Sequence, residues 1–184
     1  MASLGKVRFL VIDDNPHMLE IVKSIIRAFG VANVFTATNA DDAIKHLRAD
    51  FIDIIILDYL LGGADGLALL RRVRNDPTNP AVHIPIIMLT SHAERTRVEA
   101  ARDAGATEFC AKPVVPGELM RKIVEVINRP RHFVRTDAYY GPDRRRRAEP
   151  EFAGPERRQD RIRALNDLKA AALDSQPATD KSAL

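Results

Sequence analysis

Asp13, Asp14, Asp58, Thr90 and Lys112 are far apart in the chain, yet each stands where a short apolar run ends. Together they offer three carboxylates, a hydroxyl and an ammonium. Carboxylate oxygens suit Mg²⁺, which keeps several waters and takes protein carboxylates alongside a phosphate. A carboxylate can also accept a phosphoryl group as an aspartyl phosphate. That transfer asks the protein mainly for positioning and for neutralisation of the transferred oxygens. Lys112 can neutralise them, and Thr90 can hydrogen-bond to one. Taken singly, each residue also has an ordinary reading. Asp13 and Asp14 can cap the helix that opens at Pro16, Asp58 the next turn and Thr90 the next helix, and Lys112 can be a solvated charge. That all five fall at strand ends points to joint use.

The elements that must position them follow from periodicity. Val7–Ile12 reads as a strand ending at Asp13-Asp14, and Pro16 opens a helix whose apolar face is Met18, Leu19, Val22, Ile25, Ile26 and Phe29. Asn33–Ala37 reads as a second strand, followed by a helix from Ala40. Ile54–Asp58 is the central strand: four apolar residues in a row, three of them β-branched, mark a strand buried on both faces. A helix over Leu67–Arg74 follows, then a strand from Ile84 to Leu89 ending at Thr90, and a helix over Ser91–Ala104. Glu108–Ala111 is a fifth strand ending at Lys112-Pro113, and Glu118–Asn128 a fifth helix. Regular alternation predicts an α/β fold, a doubly wound five-stranded parallel sheet. Right-handed crossovers bring the strands' C-terminal ends to one edge, where ligands and chemistry sit in open α/β sheets. Asp58, central in the sheet, is the natural acceptor, with Asp13 and Asp14 holding the metal.

Composition bounds the rest. Hydrophobic residues make up 46% of 184, enough for a real core. The single cysteine, Cys110, excludes an internal disulfide framework and fits a reducing compartment. No apolar run is long enough to span a membrane, and no signal-peptide stretch precedes the first strand, so a cytoplasmic protein is expected. Residues 1–128 hold 15 Lys+Arg and 16 Asp+Glu, a net of −1, whereas 129–147 hold seven Arg and two Asp, a net of +5. A near-neutral domain thus carries a basic arm, which suggests an anionic partner for the arm.

Residues 6–128 resemble a response-regulator receiver domain of the CheY type. The resemblance rests on Val-Ile-Asp-Asp at 11–14, Leu-Asp at 57–58 with Asp65-Gly66 after it, Met-Leu-Thr at 88–90 and Lys-Pro at 112–113. It implies phosphorylation of Asp58 by a histidine kinase or phosphotransfer protein. It implies Mg²⁺ held by Asp13, Asp14, Asp58 and the backbone carbonyl of Leu60. It also implies a switch in which Thr90 follows the phosphoryl group, Phe109 turns inward and Lys112 contacts the phosphoryl oxygens, with Lys112-Pro113 cis. The pattern departs from the family at Gly62, where Pro is usual, and at Ser91, where Ala is commoner. Neither departure removes a chemical group.

Past Asn128 the periodicity fades. Residues 131–154 are too poor in core-formers to fold alone, and a helical stripe through Ile162, Leu165 and Leu168 returns only over 156–174. The expected division is a receiver over 1–128, an irregular Arg-rich arm over 129–155, and a short helix with a disordered tail over 156–184. The tail holds no catalytic motif, so a switch is expected rather than an enzyme. The arm's chemistry is distinctive. Arginine forks pair bidentately with phosphate and with guanine O6 and N7. Guanidinium planes and Tyr140 can stack on purines, and Asp137 and Asp143 can accept from guanine N–H groups. Gly141-Pro142-Asp143 reads as a turn that folds Arg131 and Arg135 toward Arg144, Arg145, Arg146 and Arg147. A guanine nucleotide with several phosphates, such as cyclic di-GMP, fits this set.

The run Arg135-Thr136-Asp137-Ala138-Tyr139-Tyr140-Gly141-Pro142-Asp143-Arg144-Arg145-Arg146, directly after a receiver, is similar to the arginine-rich extension of the CheY-like cyclic di-GMP effectors known as Cle proteins. That resemblance implies cyclic di-GMP binding and docking to a protein partner such as the flagellar motor switch, in chemotaxis and motility. Three other readings stay open on the residues alone: a phosphorelay shuttle with an idle arm, a basic arm that binds nucleic acid without specificity, and a solvated tail.

Overall fold

The computed structural model describes residues 4–76, 80–91, 95–136 and 139–143. The first strands and helices are β1 (Arg8–Ile12), α1 (Pro16–Ala28), β2 (Asn33–Ala37), α2 (Ala40–Ala49) and β3 (Ile54–Asp58). A small hairpin, β4 (Leu60–Leu61) and β5 (Ala64–Asp65), leads into α3 (Gly66–Asn75). Then come β6 (Ile86–Thr90), α4 (Arg95–Ala104), β7 (Glu108–Ala111) and α5 (Pro116–Asn128). β1, β2, β3, β6 and β7 form one parallel sheet in the order β2-β1-β3-β6-β7. The predicted five strand–helix units are all present. Helix starts shift by a few residues, α5 opening at Pro116, whose fixed φ suits the first turn.

Alternation on β3 explains why a continuous apolar run was needed there. Ile55 and Leu57 enter the core beneath α2, α3 and α4, and Ile54 and Ile56 the core beneath α1 and α5. All five residues of β3 are buried, so the strand's only polar side chain, Asp58, emerges at its tip. Asn15 caps α1 and Asn39 caps α2, their side chains accepting from the His17 and Asp42 N–H groups. Asp13 and Asp14 are therefore not the caps of α1, and the ordinary reading of these two residues falls away.

Gly62 and Gly63 join β4 to β5, with φ of +62° and +77°. Two successive positive φ values are what a type I′ hairpin turn requires. Proline, locked near φ −65°, cannot stand at Gly62. The departure at this position thus accompanies a specific turn.

The arm differs from the irregular segment expected. β8 (Phe133–Thr136) and β9 (Tyr139–Pro142) pair antiparallel, with Arg135 opposite Tyr140 and Val134 opposite Gly141. Gly141 pairs with Val134 and Pro142 with Phe133, so Gly141-Pro142 lies in a strand and is not the turn predicted there. Each strand has four residues, too few for alternation to be read from sequence, and the hairpin gains its apolar cover by lying on α3 and α4. Asp137, Arg144–Arg147 and the helix expected over 156–174 lie outside the described residues.

Candidate functional site at the sheet edge

Asp13 directly follows β1, 1% exposed, and its N–H donates to the Ala37 carbonyl at 3.2 Å. One carboxylate oxygen accepts from the Asn15 N–H at 2.9 Å. The other accepts from Lys112 Nζ at 3.0 Å. Asp58 ends β3, 6% exposed, with Lys112 Nζ 2.8 Å from its Oδ1. Lys112 follows β7, its peptide bond to Pro113 is cis, and its N–H donates to the Thr90 carbonyl at 2.8 Å. One ammonium thus bridges the tips of β1 and β3 from the far side of the sheet. Thr90 is buried at the tip of β6, the strand between β3 and β7.

Asp14 is exposed beside this pair, and ligand oxygens of Asp13, Asp14 and Asp58 all lie within 4.8 Å of one another. Three carboxylates against one ammonium leave two negative charges uncompensated when all are ionised. That surplus, presented by hard oxygen donors with an open side at Asp14, fits a divalent cation of the Mg²⁺ type. Burial pushes the Asp58 carboxyl above the usual carboxylate range, against the Lys112 hydrogen bond that pulls it down. Burial works against the Lys112 charge, but its bonds to Asp58 and Asp13 prevail and hold the ammonium above its ordinary range.

A testable consequence concerns pH. Protonation of Asp58 takes one of the three carboxylate ligands and its charge away from a bound cation. Mg²⁺ affinity should be full above the raised Asp58 range and fall as pH drops through it, at higher pH than for a carboxyl of ordinary pKa, about 3.9. Mg²⁺ titration at a series of pH values checks this. Affinity unchanged until the ordinary range is reached would count against a raised Asp58.

Gly66 contributes in a way that spacing alone did not reveal. Its N–H donates to the Tyr59 carbonyl at 2.7 Å, and a Cβ at this position would collide with the Asp58 carbonyl oxygen. Gly66→Ala should displace the acceptor loop or the start of α3. Overpacking of this kind costs about 1–3 kcal/mol, to be read as a lower melting temperature. Arg97 of α4 was also missed: its guanidinium lies over the Tyr59 ring, 5.5 Å from the centroid. A cation–π pair between residues so far apart in sequence leaves no local pattern.

Of the other expected residues, Phe109 is half-buried against the core on the α2–α3–α4 face, opposite Met88 in the sheet register. Leu60 lies in β4 with its side chain exposed. On the arm, Arg131, Tyr140 and Asp143 are half-buried and Arg135 is exposed. The Arg135 guanidinium stands over the Tyr140 ring at 5.7 Å, and the Asp143 N–H donates to the His132 carbonyl at 2.7 Å.

Residues 9–124 match the response regulator receiver domain family. The chain is 30% identical over 123 residues to the chemotaxis protein CheY of Pseudomonas aeruginosa, covering 67% of this chain and 98% of that one. A putative response regulator of Chloroflexus aurantiacus superposes with a TM-score of 0.61 at 32% identity, over 67% of this chain and all of the other. The receiver domain of a Pseudomonas aeruginosa sensor histidine kinase, solved with a magnesium ion coordinated in its active-site cleft, matches at 26% identity and a TM-score of 0.59, over 66% and 98% of the two chains. The carboxylate cluster, the bridging lysine, the strand order and these likenesses agree: the chain belongs to the response regulator receiver domain family.

Proposed function

We propose that this protein is a phospho-acceptor switch, rather than an enzyme, working in the cytoplasm. Asp58 takes a phosphoryl group from a histidine kinase or phosphotransfer protein. The observation that carries the reading is Lys112 bridging Asp13 and Asp58 beside Asp14. A carboxylate oxygen of Asp58 attacks phosphorus, the new O–P bond forms, and the bond from phosphorus to the donor's nitrogen breaks. Lys112 meets the charge on the transferred oxygens, and Thr90, one strand over, donates to one of them. Asp13, Asp14, Asp58 and the Leu60 carbonyl are the residues that would hold Mg²⁺, which supplies further neutralisation.

The arm is the output. We read it as a cyclic di-GMP site, supported by the Arg135–Tyr140 pair on the hairpin and by four further arginines directly after Asp143. Ligand binding there would control docking to a protein partner, of which the flagellar motor switch is the candidate suggested by the chemotaxis relative. Isothermal titration of the full chain with cyclic di-GMP tests the output, and a chelator-sensitive label from acetyl phosphate tests the input. Comparable affinity for cyclic di-GMP and a generic oligonucleotide at physiological salt would favour a non-specific basic arm instead. A label with no nucleotide binding would favour the phosphorelay shuttle.

A further inference from the structure

Helix α3 runs from the phospho-acceptor to the arm. Its first residue, Gly66, rests on the Asp58 and Tyr59 carbonyls. Near its end Arg74 is only 2% exposed. Arg74 Nε donates to the Gly105 carbonyl at 3.1 Å and Nη1 to the Val82 carbonyl at 2.7 Å. The Phe133 ring of β8 lies 5.1 Å from the guanidinium carbon. The remaining nitrogen, Nη2, is buried with no hydrogen-bond partner among the described residues. Burial draws the Arg74 pKa down to about 10, with Tyr139 and Tyr140 opposing.

The hairpin is thus the cover of a buried, incompletely paired cation. Phe133 stands edge-on to His83 at 5.0 Å, and the Tyr140 hydroxyl is 3.2 Å from a His83 ring nitrogen. Gly141 closes on the end of α4: a Cβ there would lie 3.1 Å from Gly105 Cα and 2.6 Å from the Tyr139 hydroxyl. Two four-residue strands do not hold together alone in water. This pair therefore persists by docking. Docking gains the aromatic contacts and forfeits hydration of Arg74 Nη2; release reverses both. Such a balance allows a segment to open apart from the global fold. α4 reaches the same two places, with Arg97 over Tyr59 near its start and its end against Gly141.

We propose that the hairpin is a latch whose docking over Arg74 is coupled, through α3 and α4, to the chemical state of Asp58. This rests on the reading of Asp58 as the phospho-acceptor and not on the identity of the arm's ligand. The test is hydrogen exchange on the full chain, with and without Mg²⁺ and beryllofluoride as the phosphoryl mimic. Amides of 59–66 report the acceptor loop, and those of Phe133–Thr136 and Tyr139–Gly141 report the latch. Beryllofluoride should change hairpin exchange about fivefold or more, the usual lower range of coupling between sites. Gly141→Ala should strip protection from the hairpin while β3 and β6 keep theirs. By reciprocity, it should shift beryllofluoride affinity by a factor similar to the one seen on the hairpin. A hairpin that is unmoved while the acceptor loop responds, or unchanged beryllofluoride affinity in Gly141→Ala, overturns the coupling. An acceptor loop that never responds removes the acceptor reading, and the coupling with it.

Discussion

Asp58→Asn should take up no label from acetyl phosphate under conditions that label the wild type. In the wild type a carboxylate oxygen forms a bond to phosphorus as acetate leaves. The amide oxygen of Asn carries no full negative charge to drive that attack, so the expected effect is loss of the whole signal. Folding should survive. Asn is nearly isosteric, its oxygen can still accept from Lys112, and one of three crowded carboxylates disappears. An unchanged or raised melting temperature beside a lost label separates chemistry from collapse. Equal labelling of the two proteins would remove Asp58 as the acceptor. Asp13→Asn leaves the acceptor in place but takes away a metal charge and a charged partner of Lys112. It should label only at raised Mg²⁺ concentration.

Replacing guanine with adenine in the ligand should have the second large effect. Cyclic di-AMP has the charge of cyclic di-GMP, so an arm that binds by electrostatics alone will not tell them apart. An arginine fork finds two acceptors on guanine, O6 and N7; on adenine the N6 amino group is a donor and the pairing fails. A lost bidentate contact is worth roughly 1–3 kcal/mol, or about 5- to 150-fold in affinity. Arg145→Ala and Arg146→Ala should each weaken cyclic di-GMP binding on that scale. Arg135→Ala should do so as well, and would remove the cation from the Tyr140 face. Parallel titrations at physiological salt check all of these. Equal affinity for both dinucleotides would leave only a polyanion-binding arm.

The receiver was legible because each of its signals is local. The apolar run before Asp58 announces a buried strand, and regular alternation of strands and helices then sends every strand tip to one edge. Topology alone then brings together residues far apart in sequence. Arg74 shows where this fails. In sequence it is a basic residue in the last turn of a helix, which reads as a solvated charge favourable to the helix dipole. Its guanidinium is held by the Gly105 and Val82 carbonyls and lies against Phe133, which belongs to a hairpin docked on α3 and α4. Neither half carries a signal without the other. Gly66 is visible as part of a motif, but the reason for it, a backbone so close to the Asp58 carbonyl that a Cβ would collide, leaves no mark in the sequence.

The positive φ values at Gly62 and Gly63 set which sequences this loop can accept. A Cβ at either position meets no atom within 4 Å, so space is not what restricts them; the backbone conformation is. A saturation library should therefore return mainly Gly at both sites, with Asn and Asp as the next best survivors and β-branched residues and proline absent. Gly117, in the first turn of α5, has equal room and an ordinary φ, and should accept nearly any residue. Two adjacent glycines of the acceptor loop would then be among the least replaceable residues of the chain, although a side chain at either would meet no neighbour among the described residues.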